Sequence, residues 1–459
     1  MHIRAPLDVH ARRQPIDPDH DRPPMFAETS WHCAPSVALR LIKFHITASY
    51  ILAGLVAALS AMLLPDAAVA WQPGIRANAG AWTDNSSPDA EEAALPTSAL
   101  VSIRGELPAA GARVYAEAWL GSHDFFADNK TLELREAFIA IPIAEGSVRV
   151  GRQILPWGRA DEINPTDSLV SRDWQWRVTT QDEQRFGNDG IEVVAPIGEY
   201  VVQAVWLVSM QSTRLPFISG LQKVPYSDIG RRSNIGLRAD RSGKRLDWGA
   251  SYYQGADVAP SLSATTTTLV PRLAWQNYPI RRLGGDFAAS LGRATIRGEL
   301  AHTEALDRAQ PAAGSLPGQR ASYVKVVLGG DRDLGAGFNV NVQWVGQYVT
   351  GGAAPVSGPP ITQFIQKVQA LVNQQPVGML NGLGYRFQKA AINDTLRLEL
   401  SGLVYSQDQG SLARLRITYQ FNDSLTVVLG GDRYFGSADS ILGALKPNNT
   451  WFAQLQCSI

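Results

Sequence analysis

The segment "FNVNVQWVGQYV", Phe338–Val349, alternates along its length. Phe338, Val340, Val342, Trp344 and Tyr348 fall on one face, and Asn339, Asn341, Gln343 and Gln347 on the other. Side chains of a strand point to opposite faces with a period of two, so one face suits an apolar medium and the other suits water. The final segment repeats the scheme, with Trp451, Ala453, Leu455, Cys457 and Ile459 against Gln454, Gln456 and Ser458. So does "ARLRITYQ", where Leu415, Ile417 and Tyr419 oppose Arg414, Arg416, Thr418 and Gln420. Beyond Trp71 helical periodicity is nearly absent, and alternating stretches of about eight to twelve residues recur.

Alternation alone fits a soluble sandwich with one buried face equally well. The connections separate the two. Tight links at 108–112, 144–147, 196–199, 240–244, 291–294 and 421–424 alternate with long ones at 122–131, 156–188, 210–232, 255–279, 305–319, 350–376 and 435–449. Short and long links therefore sit at opposite ends of the strands, the pattern of an outer-membrane barrel with short periplasmic turns and long extracellular loops. Such a wall must close, because an unpaired edge in lipid leaves backbone groups without partners. Strand parity gives an all-β, transmembrane antiparallel β-barrel of about eighteen strands, or about sixteen if the weakest segments, 74–83 and 255–280, drop out. A barrel this wide has room for a water-filled lumen.

The chain has 42 basic and 42 acidic residues, a balance that nominates no nucleic-acid partner. Arg40, Lys43 and His45 precede an apolar run from Ile46 to Leu64, and Ala68-Val69-Ala70 stands before Trp71. That is the order of a secretory signal peptide over 40–70, with cleavage near Ala70; a retained membrane anchor is the alternative. Residues 1–39 read as an unstructured extension or one that follows from an early start assignment, Met25 being another start, and 71–459 form the barrel. Cleavage removes Cys33, leaving Cys457 alone and no intramolecular disulfide.

Three further runs carry a likeness: "VRVGRQILPWGRADEINPTD" (148–167), "QRFGNDGIEVV" (184–194) and "IRRLGGDFAASLGRATIRGELAHTEA" (280–305). They resemble the porin-like outer-membrane barrels of Gram-negative bacteria, among them uncharacterised families related to the alginate-export channels. The likeness spans most of 71–459, and 151–158 is its most specific part. It implies an outer-membrane channel without naming a solute; the solute expected is small and polar or amphiphilic, and neither its direction of transport nor the oligomeric state follows from the sequence. The partners it implies are outer-membrane lipid and lipopolysaccharide, and the assembly machinery acting through the C-terminal strand. Two features depart from the family: the chain ends in Ile459 where phenylalanine is usual, and loop 156–188 lacks the dense basic cluster that a polyanionic polysaccharide would require. An export or assembly component of a polymer or lipid pathway is the alternative.

Loop 156–188 holds six acids and four bases. An inward fold would make Arg159, Asp161, Glu162, Asp167, Arg172, Asp173, Trp174, Trp176 and Arg177 a pore constriction; a solvated outer cap and a calcium site are the alternatives. Thr166 or Asp167 would cap a short helix over 168–174. On the wall, alternation turns Arg386, Arg397, Arg414 and Arg416 into the lumen with only Glu399 among them, so an acidic loop opposite would set a transverse field. The arginines pairing with Glu399 and with loop acids is the competing arrangement. Residues 361–374 place Ile361, Phe364, Ile365, Val368, Leu371 and Val372 at helical spacing within a long link. Arg135 and Arg152 fall on the apolar face, which calls for a bulge. A remoter alternative is a lipid hydrolase using His302 and Ser322, neighbours only if their strands pair in that register. No phosphate-cradling loop, zinc spacing or cofactor motif stands out, and no cofactor is expected.

Overall fold

The computed structural model describes residues 74–82, 97–109, 111–123, 130–161, 163–175, 184–218, 220–221, 223–227, 233–265, 271–306, 315–316, 318 and 320–458. The signal-peptide segment, Glu162, Trp176, Arg177 and Ile459 lie outside them.

Eighteen strands form one antiparallel sheet. In chain order they are β1 (Gly74–Trp82), β2 (Thr97–Ala109), β3 (Ala112–His123), β4 (Lys130–Ile143), β5 (Gly146–Gln153), β6 (Asn188–Ile197), β7 (Tyr200–Ser209), β8 (Asn234–Arg241) and β9 (Leu246–Ala256). There follow β10 (Pro279–Leu291), β11 (Ala294–Ala305), β12 (Tyr323–Gly335), β13 (Phe338–Val349), β14 (Met379–Ala391), β15 (Leu396–Tyr405), β16 (Ser411–Asn422), β17 (Leu425–Phe435) and β18 (Thr450–Ser458). Each strand pairs with its neighbours in sequence, and β1 pairs with β18 from Arg76↔Ser458 to Trp82↔Phe452, so the ladder returns to its start. The doubtful segment 74–83 is therefore a wall strand. Segment 255–280 supplies only the ends of β9 and β10, and its middle forms a separate sheet of Ser261–Thr265, Arg272–Gln276 and Ser315–Leu316.

Alternation sets the faces. Leu283, Ile296, Leu300, Leu328, Val342, Trp344, Leu383, Leu398, Leu429 and Leu455 are exposed on the outer face, where lipid takes the place of a protein core. The inward positions between them hold Arg282, Asp286, Glu299, Asn341 and Gln343, all buried. The expected bulge occurs at Arg135: Glu117 pairs with Glu136 and Ala118 with Leu134, leaving Arg135 as the extra residue. The phase slip turns Arg135 inward, where it meets Glu117 Oε1 at 2.8 Å and lies over the Trp119 ring. Arg152, at the loop end of β5, pairs instead with Asp189 at 2.7 Å.

Two local expectations fail. Residues 168–174 form no helix: Ser171–Arg172 pairs as a strand with Arg185–Phe186, and the Thr166 hydroxyl is engaged by Glu299 rather than free to cap. His302 stands opposite Val324, not Ser322, and Ser322 precedes β12 and accepts a bond from the Ala305 N–H. The pairing that would have joined base and nucleophile is not formed. The amphipathic helix does form, as α1 (Pro360–Val372), with proline at its start where a missing N–H is tolerated. Gln369 donates to the carbonyls of Leu262 and Leu316, and Val368 and Val372 pack against Leu221, Leu262 and Trp275, so α1 braces neighbouring long loops.

The face assignment has a measurable consequence. Leu300→Arg, in the middle of β11, should destabilise the protein by about 2–4 kcal/mol in denaturant unfolding from lipid vesicles. Thr418→Arg, on the lumen face of β16, should cost less than about 1 kcal/mol. Equal costs would mean that the two faces are misassigned.

Candidate functional site

The described part of loop 154–187 leaves β5 and meets inward side chains of β6 to β14. The Trp157 ring rests on Gly236 of β8, where a β-carbon would meet its Cη2 at 2.7 Å, so the wall is hollowed by the absence of a side chain. Trp157 joins Leu155, Leu169, Val205, Leu207, Met210, Tyr253, Val258 and Ile280 in a buried apolar cluster. Each large side chain buried there contributes about 1.5–3 kcal/mol. The indole Nε1 donates to Gln203 Oε1 at 2.6 Å, and Gln203 Nε2 donates to Glu192. Gly158 bends the chain at φ +100°, a region open to glycine, and a β-carbon there would strike the Glu299 carboxylate at 2.5 Å.

Two anchors then hold the loop. Glu299 of β11 accepts from the backbone N–H groups of Arg159 and Ala160 at 2.5 Å each and of Thr166 at 3.2 Å, and from the Thr166 hydroxyl at 2.9 Å. One wall carboxylate thus satisfies three loop amides that would otherwise be orphaned out of water. Arg159 reaches Asp286 of β10 and Asp240 of β8, and Arg238 bridges the same two acids, at 2.7 Å to each. Two guanidinium groups and two carboxylates make a neutral quartet, in which the fork of each arginine matches the acids it meets.

Further along, the Asp161 carboxylate accepts from Asn341, from Gln343 at 3.2 Å and from Arg297 at 3.3 Å, and stands 3.8 Å from Arg386. Ile163 packs beside it on Val327 and Val345. Asp167 is 3.7 Å from Arg172, and burial pushes its carboxyl above the usual carboxylate range against the opposing pull of Arg172 and Arg185. Asp173 turns away to the next loop, pairing with Arg214 at 2.9 Å, and Trp174 lies 5.8 Å from Arg172 as a cation–π partner. Arg159 and Asp161 therefore face the wall, whereas Asp173 joins one long loop to another.

The wall arginines divide. Arg386 meets loop residue Asp161. Arg416 pairs with Asp432 at 2.8 Å and lies over Phe452, and Arg414 is 3.9 Å from the same acid. Glu399 accepts from Gln388 and Ser401 rather than from an arginine. Arg397 is exposed. The sequence reading missed Glu299, Arg238, Asp240 and Asp286, although inward parity on β8, β10 and β11 was a usable signal. A second loop, 436–449, packs Ile441 and Leu442 on Leu380, Tyr405 and Leu412. Its Asn448 exchanges hydrogen bonds with Phe217 of another long loop.

No protein-family model and no curated protein matches the chain. Solved structures do. The chain is similar to OccAB3 of Acinetobacter baumannii, with 10% identity and a TM-score of 0.52, covering 85% of this chain and 99% of that one. It is similar also to OpdK, an outer membrane protein of Pseudomonas aeruginosa, with 9% identity and a TM-score of 0.52, covering 85% and 98%. OpdK has also been solved with vanillate, and that structure matches at 10% identity with the same score. The likeness is one of fold: the protein has the architecture of outer-membrane β-barrels.

If Glu299 fastens the loop, Glu299→Ala should be costly, because it strips partners from three amides at about 1–3 kcal/mol for each left unsatisfied. Denaturant unfolding in detergent should show Glu299→Ala well below wild type, with Glu299→Gln between them. Wild-type behaviour of Glu299→Ala would mean that the loop is held by other contacts.

Proposed function

We propose that the protein is an outer-membrane porin-like channel that passes small polar or amphiphilic solutes, with loop 154–187 as the element that narrows and selects. The observation that carries this is the fastening of Gly158–Thr166 to inward side chains by Glu299 and by the Arg159 quartet. A loop merely capping the barrel needs no such contacts with three strands of the inner wall, β8, β10 and β11. The apolar outer face is to be met by lipid and, in the outer leaflet, by lipopolysaccharide, with the last strand read by the assembly machinery. The likeness of 148–167 and 280–305 to porin-like families related to alginate-export channels belongs to the same proposal. No argument for the solute comes from vanillate, which belongs to OpdK.

The path left to a solute runs along the wall that the loop does not line, past Arg397, Arg414 and Arg416. With Asp161 spent on Arg297 and Arg386, the charges that tune passage are these three arginines against Asp432. Lumen charges set ion preference because a partly dehydrated ion feels them at short range.

Planar-bilayer recordings test both parts. The refolded wild-type chain should give discrete conductance steps, and exchanging Arg414 and Arg416 together for Glu should shift permeation toward cations by several-fold in reversal-potential measurements. Absence of steps would remove the channel function; steps with an unchanged cation-to-anion ratio would remove these arginines from the path.

A further inference from the structure

Most inward arginines on the lined half of the barrel meet a carboxylate: Arg149 meets Glu192, Arg238 meets Asp240 and Asp286, and Arg297 meets Asp161 and Asp331. Among the described residues Arg282 on β10 and Lys325 on β12 do not. Arg282 is 7% exposed and donates Nε to Thr303 Oγ1 at 2.8 Å, Nη1 to Ser168 Oγ and the Asp167 carbonyl, and Nη2 to Tyr323 Oη at 3.3 Å. These are four neutral acceptors for five N–H groups, so one N–H and the Tyr323 O–H are left to donate elsewhere. Lys325 has neither hydrogen bond nor ion pair among the described residues. Of its cross-strand neighbours Ala301 has no polar side chain, and Gln347 donates its amide N–H to the Gln374 carbonyl and brings no negative charge.

Among the described residues neither basic group has a carboxylate at ion-pair distance, Arg282 feeling Asp257 and Asp167 only from further off, and such groups in a half-enclosed wall are unfavourable unless an anion reaches them. The ladder brings their donors together. Arg282 faces Thr303, Thr303 faces Tyr323, and Tyr323 and Lys325 are successive inward positions of one strand. Successive same-face positions lie about 7 Å apart. An oxyanion whose oxygens are about 2.2 Å apart, accepting at about 2.8 Å from each side, spans that gap. The group lies at the long-loop end of β12, so a solute entering there meets it before the level of Glu299.

We propose that Lys325, Tyr323 and Arg282 form an anion-binding site that takes one small oxyanion, a carboxylate or a phosphate, at the long-loop end of the lumen. The Lys325 ammonium supplies charge, and the Tyr323 hydroxyl and the remaining Arg282 N–H supply direction. The site goes beyond the channel proposal and does not depend on conduction, so it is tested by binding.

Thermal unfolding of the refolded full-length chain in zwitterionic detergent, with ionic strength held constant by chloride, is followed as acetate or inorganic phosphate replaces chloride. The wild type should show a saturable rise in unfolding temperature. Lys325→Met should raise the half-saturating concentration about tenfold or more, the loss of one charge-assisted contact, and Tyr323→Phe should raise it by less. Removing a lone cation from the wall should leave Lys325→Met folded; Tyr323→Phe, which deletes only a hydroxyl, keeps the test in force if it does not. A response to acetate alone or to phosphate alone supports the site and assigns its class. No response to either anion, or the same response in Lys325→Met as in wild type, overturns it. Missing conductance with binding intact would count against the channel only.

Discussion

In hydrocarbon no water is available to a backbone N–H or C=O, and each group must find its partner within the protein. Everything in the wall follows from this constraint. The sheet has to close, so β1 must reach β18, and its register there, Arg76↔Ser458 to Trp82↔Phe452, completes a ladder that no single strand could satisfy. Closure in turn fixes which face of each strand meets lipid. Leu283 and Phe287 point out of β10 because Arg282 and Asp286 cannot, and one slipped residue would drive both charges into the membrane. The bulge at Arg135 shows the constraint acting locally, since an extra residue restores the phase that would otherwise send a guanidinium outward.

Inside the barrel the same accounting is met by a different device. The described part of loop 154–187 brings its own amides against the inward face, and the wall answers with acceptors: Glu299 for three of them, and a carboxylate pair for Arg159. Packing and polarity act together here. Trp157 over Gly236 supplies apolar burial, while the quartet of Arg159, Arg238, Asp240 and Asp286 fixes orientation, since charges this short of water tolerate little displacement.

The wall was legible in the sequence because its cause is local: alternation in Phe338–Val349 records lipid on one side and water on the other, residue by residue. Turn lengths likewise record which end of the barrel a link occupies. The helix Pro360–Val372 was legible for the same reason, its apolar residues recurring at helical spacing. Glu299 and the Asp240–Asp286 pair were not, because their partners stand more than a hundred residues away or on strands whose proximity depends on the closed sheet. Their inward parity was visible, but parity names a face and not a neighbour. The short helix expected over 168–174 failed through the same blindness to distant contacts: a Thr166 hydroxyl already bound to Glu299 cannot cap, and Leu169 is drawn into the cluster around Trp157. His302 and Ser322 miss one another because strand register is set by the whole ladder rather than by either segment.

Charge compensation also explains why the lined and unlined halves of the lumen differ. Where the loop covers the wall, water is displaced, and an unpaired charge is costly enough that Arg149, Arg238 and Arg297 each have an acid beside them. On β15 Arg397 stays exposed, with no acid beside it among the described residues, stabilised by the solvent it faces. Arg282 and Lys325 fit neither regime: they sit on the lined half, yet among the described residues no carboxylate stands at ion-pair distance from either. On a half where the other inward arginines each have an acid beside them, the lack of an ion-pair partner is better accounted for by an anion that comes and goes than by tolerance of permanent imbalance.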